Sequence, residues 1–81
     1  MSKNKPVEQV RLGTIVASIW KNNGDKGRWY NVTLQRAYHA EDGWEYADTF
    51  GRDDLLQAAK VLDIANTKIF ELQVEDRAQD D

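Results

Sequence analysis

Six of the chain's eight aromatic residues, Trp20, Trp29, Tyr30, Tyr38, Trp44 and Tyr46, fall within 27 residues, interleaved with Lys21, Lys26, Arg28 and Arg36. Rings beside cations on an open surface supply what a single-stranded polyanion needs. Each ring can stack on a base for about 1–3 kcal/mol while the cations meet phosphates. The same residues have a plainer reading. Tyr and Trp favour strands in any protein, and cross-strand aromatic pairs stabilise hairpins without binding anything. Asp25, Glu41, Asp42, Glu45 and Asp48 lie among the bases and could make the whole a solvated, mixed-charge surface.

Other chemistries fail on inventory. A Ser/His/Asp arrangement could use only His39, the single histidine, which sits in a predicted turn. Cysteine is absent, which removes disulfides and thiolate metal sites, and one histidine makes no imidazole cluster. Asp53 and Asp54 are adjacent carboxylates, but the positive end of a helix dipole accounts for them. Asn23-Gly-Asp-Lys-Gly27 lacks the spacing of a phosphate loop and lies inside a hairpin. The sequence therefore predicts a binding protein rather than an enzyme, with no cofactor and no metal.

The elements that must position these side chains follow from periodicity. In Thr14–Lys21, Ile15, Ala17 and Ile19 alternate with Val16, Ser18 and Trp20, the period of a strand. Asn22–Gly27 is a turn, and Arg28–Tyr38 alternates again, with Tyr30, Val32 and Leu34 on one face and Trp29, Asn31, Thr33 and Gln35 on the other. A second turn at His39–Gly43 leads into Trp44–Phe50, and Val7–Leu12 is a further short strand that Gly13 bends into the next. Trp20 and Trp29 flank the first turn and are expected to pair across it.

From Asp53 the period becomes helical. Leu55, Ala58/Ala59, Leu62, Ala65, Ile69 and Leu72 recur at spacings of three and four, predicting a helix to about Gln73 that packs on Ile15, Ile19, Val32 and Leu34. Four large apolar side chains at about 1.5–3 kcal/mol each would join helix to sheet. Val61 and Ile64 lie off that stripe and, with Ile69, are the expected contact with a second copy. The fold class is thus α+β: an antiparallel meander of four strands, at least three, followed by one long C-terminal helix.

Length and charge bound the rest. At 81 residues the chain is one domain. A domain this small buries only roughly 60–65% of its unfolded surface, so a partner subunit is expected to contribute stability. Glu71 to Asp81 hold five acids and one base, for −4, whereas residues 1–70 hold ten bases and nine acids, for +1. The acidity is mostly a tail, either solubilising or competing with nucleic acid for the basic surface. Residues 1–6 and 74–81 are expected to be disordered tails around a domain at 7–73. No apolar run reaches the roughly 18–20 residues of a membrane span, and Met1–Pro6 has no apolar h-region. The cytoplasm is the expected location.

The order of four strands and a long helix resembles the PC4-like and Whirly-like single-stranded DNA-binding fold. Val10-Arg-Leu-Gly13 looks like the strand that opens the PC4 domain. The meander with Tyr38 and Glu41-Asp-Gly43 looks like its middle hairpin, and Phe50 to Leu56 like its entry into the helix. The chain is also similar to short uncharacterised bacterial proteins with an R-G-x-I-x-A-x-I-W opening, through Arg11-Leu-Gly, Ala17-Ser-Ile-Trp20, Tyr30-Asn-Val-Thr33 and Phe50–Leu55. The resemblance covers about residues 7–72. It implies a homodimer formed partly through the helices, with strands curving into a channel for single-stranded DNA. The positions it implies for that channel are Arg11, Lys21, Lys26, Arg28, Trp29, Arg36, Tyr38 and Trp44. Its implied setting is DNA maintenance or transcription regulation, with weak sequence preference and an affinity that falls steeply with salt. The second reading is a protein–protein module anchored by Trp20, Trp29 and Trp44.

Overall fold

The computed structural model describes residues 5–80, with the Asp80 side chain excluded. The expected tail at 1–6 therefore falls mostly outside the described residues, as does Asp81. Strands β1 (Glu8–Leu12), β2 (Ile15–Gly24), β3 (Gly27–Ala40) and β4 (Gly43–Ala47) form one antiparallel sheet in chain order. A short 3₁₀ turn (Arg52–Asp54) then leads into helix α1 (Leu55–Asp80). This is the predicted meander followed by one long helix. Two-residue turns at Asp25-Lys26 and Glu41-Asp42 are tighter than the sequence suggests, so β2 and β3 run longer. Each turn is followed by a glycine with positive φ, Gly27 at 120° and Gly43 at 129°. A side chain at either would meet open space, so the need for glycine comes from the backbone.

The alternation of the sequence becomes two faces. Register pairs Ala17 with Val10 and Leu34, and Ile19 with Glu8 and Val32. The face bearing Ile15, Ala17 and Ile19 is covered by α1, whose Ala58, Val61 and Ala65 complete a fully apolar core. Leu12, Tyr30, Val32, Leu34, Phe50, Ile64, Ile69 and Leu72 pack around it. Small side chains on both surfaces, Ala17, Ala58 and Ala65, let the helix approach the strands closely. β1 begins its pairing at Ile19, and β4 pairs only with Arg36–Ala40. The far half of the β2–β3 hairpin, Trp20–Asn31, therefore extends past both outer strands.

Three expectations about the helix are corrected. Val61, expected at a dimer contact, is fully buried at the centre of the core, and Ile64 and Ile69 pack against that core. Leu55 and Leu62, expected in the core, are exposed. The helix carries apolar residues on two flanks, and the rotation that seats the smaller, β-branched flank fits the sheet better. The third correction is length. α1 continues through Asp80, so the described part of the expected disordered tail at 74–81 is helical. Its last turns are held by Asp76, described below.

Candidate nucleic-acid interface

The face turned away from α1 is built by alternate residues of all four strands: Gln9 and Arg11 on β1; Val16, Ser18, Trp20 and Asn22 on β2; Trp29, Asn31, Thr33, Gln35, Ala37 and His39 on β3; Trp44 and Tyr46 on β4. Val16 and Ser18 are buried there because β2 is central and the longer Gln9, Arg11 and Gln35 are their register partners. Trp29, Trp44 and Tyr46 are each more than half exposed. Their rings stand at the two ends of the face: Trp29 is ten residues from His39 on β3, about 33 Å of strand.

Hydrogen bonds within the face hold its side chains in place. The Trp20 indole Nε1–H donates to Thr33 Oγ1 at 3.0 Å, Asn22 Nδ2 donates to Asn31 Oδ1 at 2.7 Å, and Gln9 Nε2 donates to Ser18 Oγ at 2.9 Å. The first two run along the same diagonal of the hairpin. The expected Trp20–Trp29 pair would lie along the opposite diagonal, and the Asn22–Asn31 bond occupies the ground between the two indoles. The ring pair that forms is His39–Trp44, register partners meeting edge to face at 5.2 Å. A hollow of about 390 Å³ opens beside Trp20, lined also by Lys5, Asn22, Asn31 and Thr33. A smaller one of about 200 Å³ lies between Arg11, Ala37, Trp44 and Tyr46.

Most of the cations expected here are on the other side. Lys21 and Arg28 fall on the helix face of the hairpin, where both meet Asp76 of α1, Lys21 Nζ at 3.0 Å and Arg28 NH1 at 3.6 Å from Oδ1. The Tyr30 hydroxyl donates a short hydrogen bond to Asp76 Oδ2. That bond first, and the one from Lys21 second, hold the Asp76 carboxyl below the usual carboxylate range. Lys21 is raised, chiefly by its hydrogen bond to Asp76, and Tyr30 is raised by burial and then by Asp76. Arg36 donates from Nε to the Thr49 carbonyl at 2.9 Å, lies 3.8 Å from Asp54 Oδ2 and places its guanidinium 5.7 Å from the Tyr38 ring centre.

Of the eight expected interface residues, the structure brings Arg11, Trp29 and Trp44 to the open face and leaves Lys26 at the hairpin tip. It places Lys21, Arg28, Arg36 and Tyr38 on the opposite face, because strand alternation sends them to the side of Ile19, Val32 and Leu34. The residues missing from that set, Asn31, Thr33, Gln35 and Tyr46, share parity with Trp29 or Trp44, a signal present in the sequence. Lys5 is brought to Trp20 by chain path alone. Among the described residues, the positive charge on the side of the rings is thus that of Lys5, Arg11 and Lys26.

Among the described residues no cluster of three or more His, Cys, Asp or Glu side chains could hold a metal ion, and no helix is long and apolar enough to cross a membrane. No protein-family model, curated protein or solved structure matches the chain.

Proposed function

We propose that the open face binds single-stranded nucleic acid, DNA in the first instance, chiefly by stacking and with little sequence preference. The observation that carries this reading is the set of exposed rings Trp29, Trp44 and Tyr46, with the half-buried Trp20, displayed on one uncovered sheet surface. Amide and hydroxyl side chains between the rings offer donors and acceptors to any base edge. Stacking worth about 1–3 kcal/mol per base makes each exposed indole count. With three cations nearby, log affinity falls with log salt at a slope no steeper than about −2, at about 0.7 per neutralised phosphate on a single strand. This replaces the steep dependence expected when all the bases were grouped with the rings. We place this activity in the cytoplasm, in DNA maintenance or transcription regulation.

The test is an anisotropy titration of the full chain with a labelled single-stranded oligonucleotide of about 25 bases at several salt concentrations. Binding that weakens about 10–100-fold in Trp29→Ala and Trp44→Ala, with a shallow salt slope, supports the reading. No binding at the lowest salt overturns it.

A second reading is favoured by one specific observation: the face around the tryptophans is nearly uncharged. A protein partner anchored on Trp29 and Trp44, with the amides as a polar rim, would use the same surface. Its binding would not respond to competitor oligonucleotide.

A further inference from the structure

Trp20 differs from the other rings of the open face. Trp29, Trp44 and Tyr46 are more than half exposed, whereas Trp20 is half-buried and its indole N–H is held by Thr33. It forms one wall of the hollow of about 390 Å³, which opens where β1 has ended and the hairpin runs on alone. Asn22, Asn31 and Thr33 supply the polar lining, and their mutual bonds do not exhaust them. The Asn22–Asn31 bond takes one amide hydrogen of Asn22 and one lone pair of Asn31 Oδ1. Asn22 Oδ1 and both hydrogens on Asn31 Nδ2 are left without a hydrogen-bond partner among the described residues. Thr33 Oγ1 accepts from Trp20 and keeps its own O–H to give. Donors and an acceptor therefore line one hollow beside a ring fixed in place. Of the two lysines there, Lys21 is paired with Asp76, while Lys5 has no ion pair among the described residues.

We infer that this hollow takes one unpaired nucleobase, its ring on Trp20 and its hydrogen-bonding edge on Asn22, Asn31 and Thr33, and that the site thereby tells single strands from duplex. This deepens the nucleic-acid reading and rests on it. Every base carries a donor beside an acceptor on its Watson–Crick edge. The hollow offers the complement of that pair without selecting one base, in keeping with little sequence preference. In a duplex the opposite strand consumes the same edge, so a paired base has nothing to exchange with the amides. Stacking on Trp29 or Trp44 reads only the flat of a base, whereas the hollow reads its edge as well. Its volume falls within the roughly 300–1,000 Å³ of sites that take small ligands. Lys5 supplies the cation for the phosphate of the same nucleotide.

The side-chain amide signals of Asn22 and Asn31 and the indole N–H signal of Trp20, followed by nuclear magnetic resonance on the full chain, test the inference. The probes are a mixed-sequence oligonucleotide of about 25 bases and the same strand annealed to its complement. The three signals should shift with the single strand and stay in place with the duplex. Asn31→Ala, at an exposed position, should keep the wild-type circular dichroism. It should weaken single-strand binding about 3–10-fold and leave duplex binding unchanged. Single-strand binding that moves the Trp29 and Trp44 indoles but neither amide overturns the inference and leaves the nucleic-acid reading standing. Equal affinity for the two forms overturns the inference too, as does an Asn31→Ala variant that binds as tightly as wild type. No oligonucleotide binding at the lowest salt overturns both. Should Asn31→Ala lose its fold, the wild-type signals decide.

Discussion

In the far half of the β2–β3 hairpin, Trp20–Asn31, alternate residues make two faces that do opposite things with polarity. One carries Trp20, Asn22, Trp29 and Asn31, its polar groups bonded sideways within the face and its rings turned to solvent. The other carries Lys21, Arg28 and Tyr30, all converging on one carboxylate of α1. Leu72 is the last hydrophobic residue of α1 in or against the core among the described residues, and beyond it Asp76 ties the helix to the hairpin. Charge fastens the molecule to itself here, and aromatic surface is what remains available to others. A count of bases near tryptophans cannot tell these roles apart, because it ignores the side of the strand.

The largest expected effect tests the covered face. Ile19→Ala should cost about 2–5 kcal/mol in chemical denaturation, as a fully buried side chain under the helix. Ser18→Ala, one residue away on the open side, should cost about 1 kcal/mol through its hydrogen bond with Gln9. Similar losses at both sites would break the distinction.

The next effect crosses over. Trp29→Ala should lower oligonucleotide affinity about 10–100-fold with little change in melting temperature. Arg28→Ala should do the reverse, lowering the melting temperature and changing affinity less than about threefold, if phosphate contact at that side is lacking. An Arg28→Ala loss equal to that of Trp29→Ala would mean that the ligand reaches the helix face.

Gly27→Ala sharpens the comparison because both faces depend on the hairpin turn. At a φ of 120°, a side chain should cost about 1–2 kcal/mol, and stability and binding should fall together.

The smallest effect is a pH dependence confined to the helix face. The carboxyl of Asp76 is lowered in the folded chain, so its contribution is present above the ordinary carboxylate value and is lost as pH falls through the lowered one. Lys21 and Tyr30 are raised, so theirs is present at neutral pH and is lost only in strong alkali. Relative to the rate of an unstructured chain at the same pH, amide exchange at residues 74–79 should therefore be slow at neutral pH and speed up as pH falls through the lowered Asp76 value, ahead of the core. In Asp76→Asn it should already be fast at pH 7. Slow exchange in that variant would show that helix propensity alone holds the end.

Much of this was legible in the residues. Alternation in Thr14–Lys21 and Arg28–Tyr38 determined strands, and Asp25-Lys26-Gly27 and Glu41-Asp42-Gly43 determined the reversals between them. The helical period from Asp53 determined one long helix, and the same alternation already assigned Lys21 to the side of Ile19 and Arg36 to that of Leu34. These properties are local: each depends on a side chain's direction from its own backbone and on the dihedral angles its neighbours allow. The rotation of α1 and the fate of its last two turns were not local. Two apolar flanks of similar strength compete along Leu55–Val74, and which one is buried depends on volumes supplied by Val10, Ala17 and Ile19, distant in the chain. Asp76 reads as part of an acidic tail until the hairpin brings Lys21, Arg28 and Tyr30 to it. Only the tertiary structure could decide these, because burial and ion pairing are energies between segments, and no segment contains them by itself.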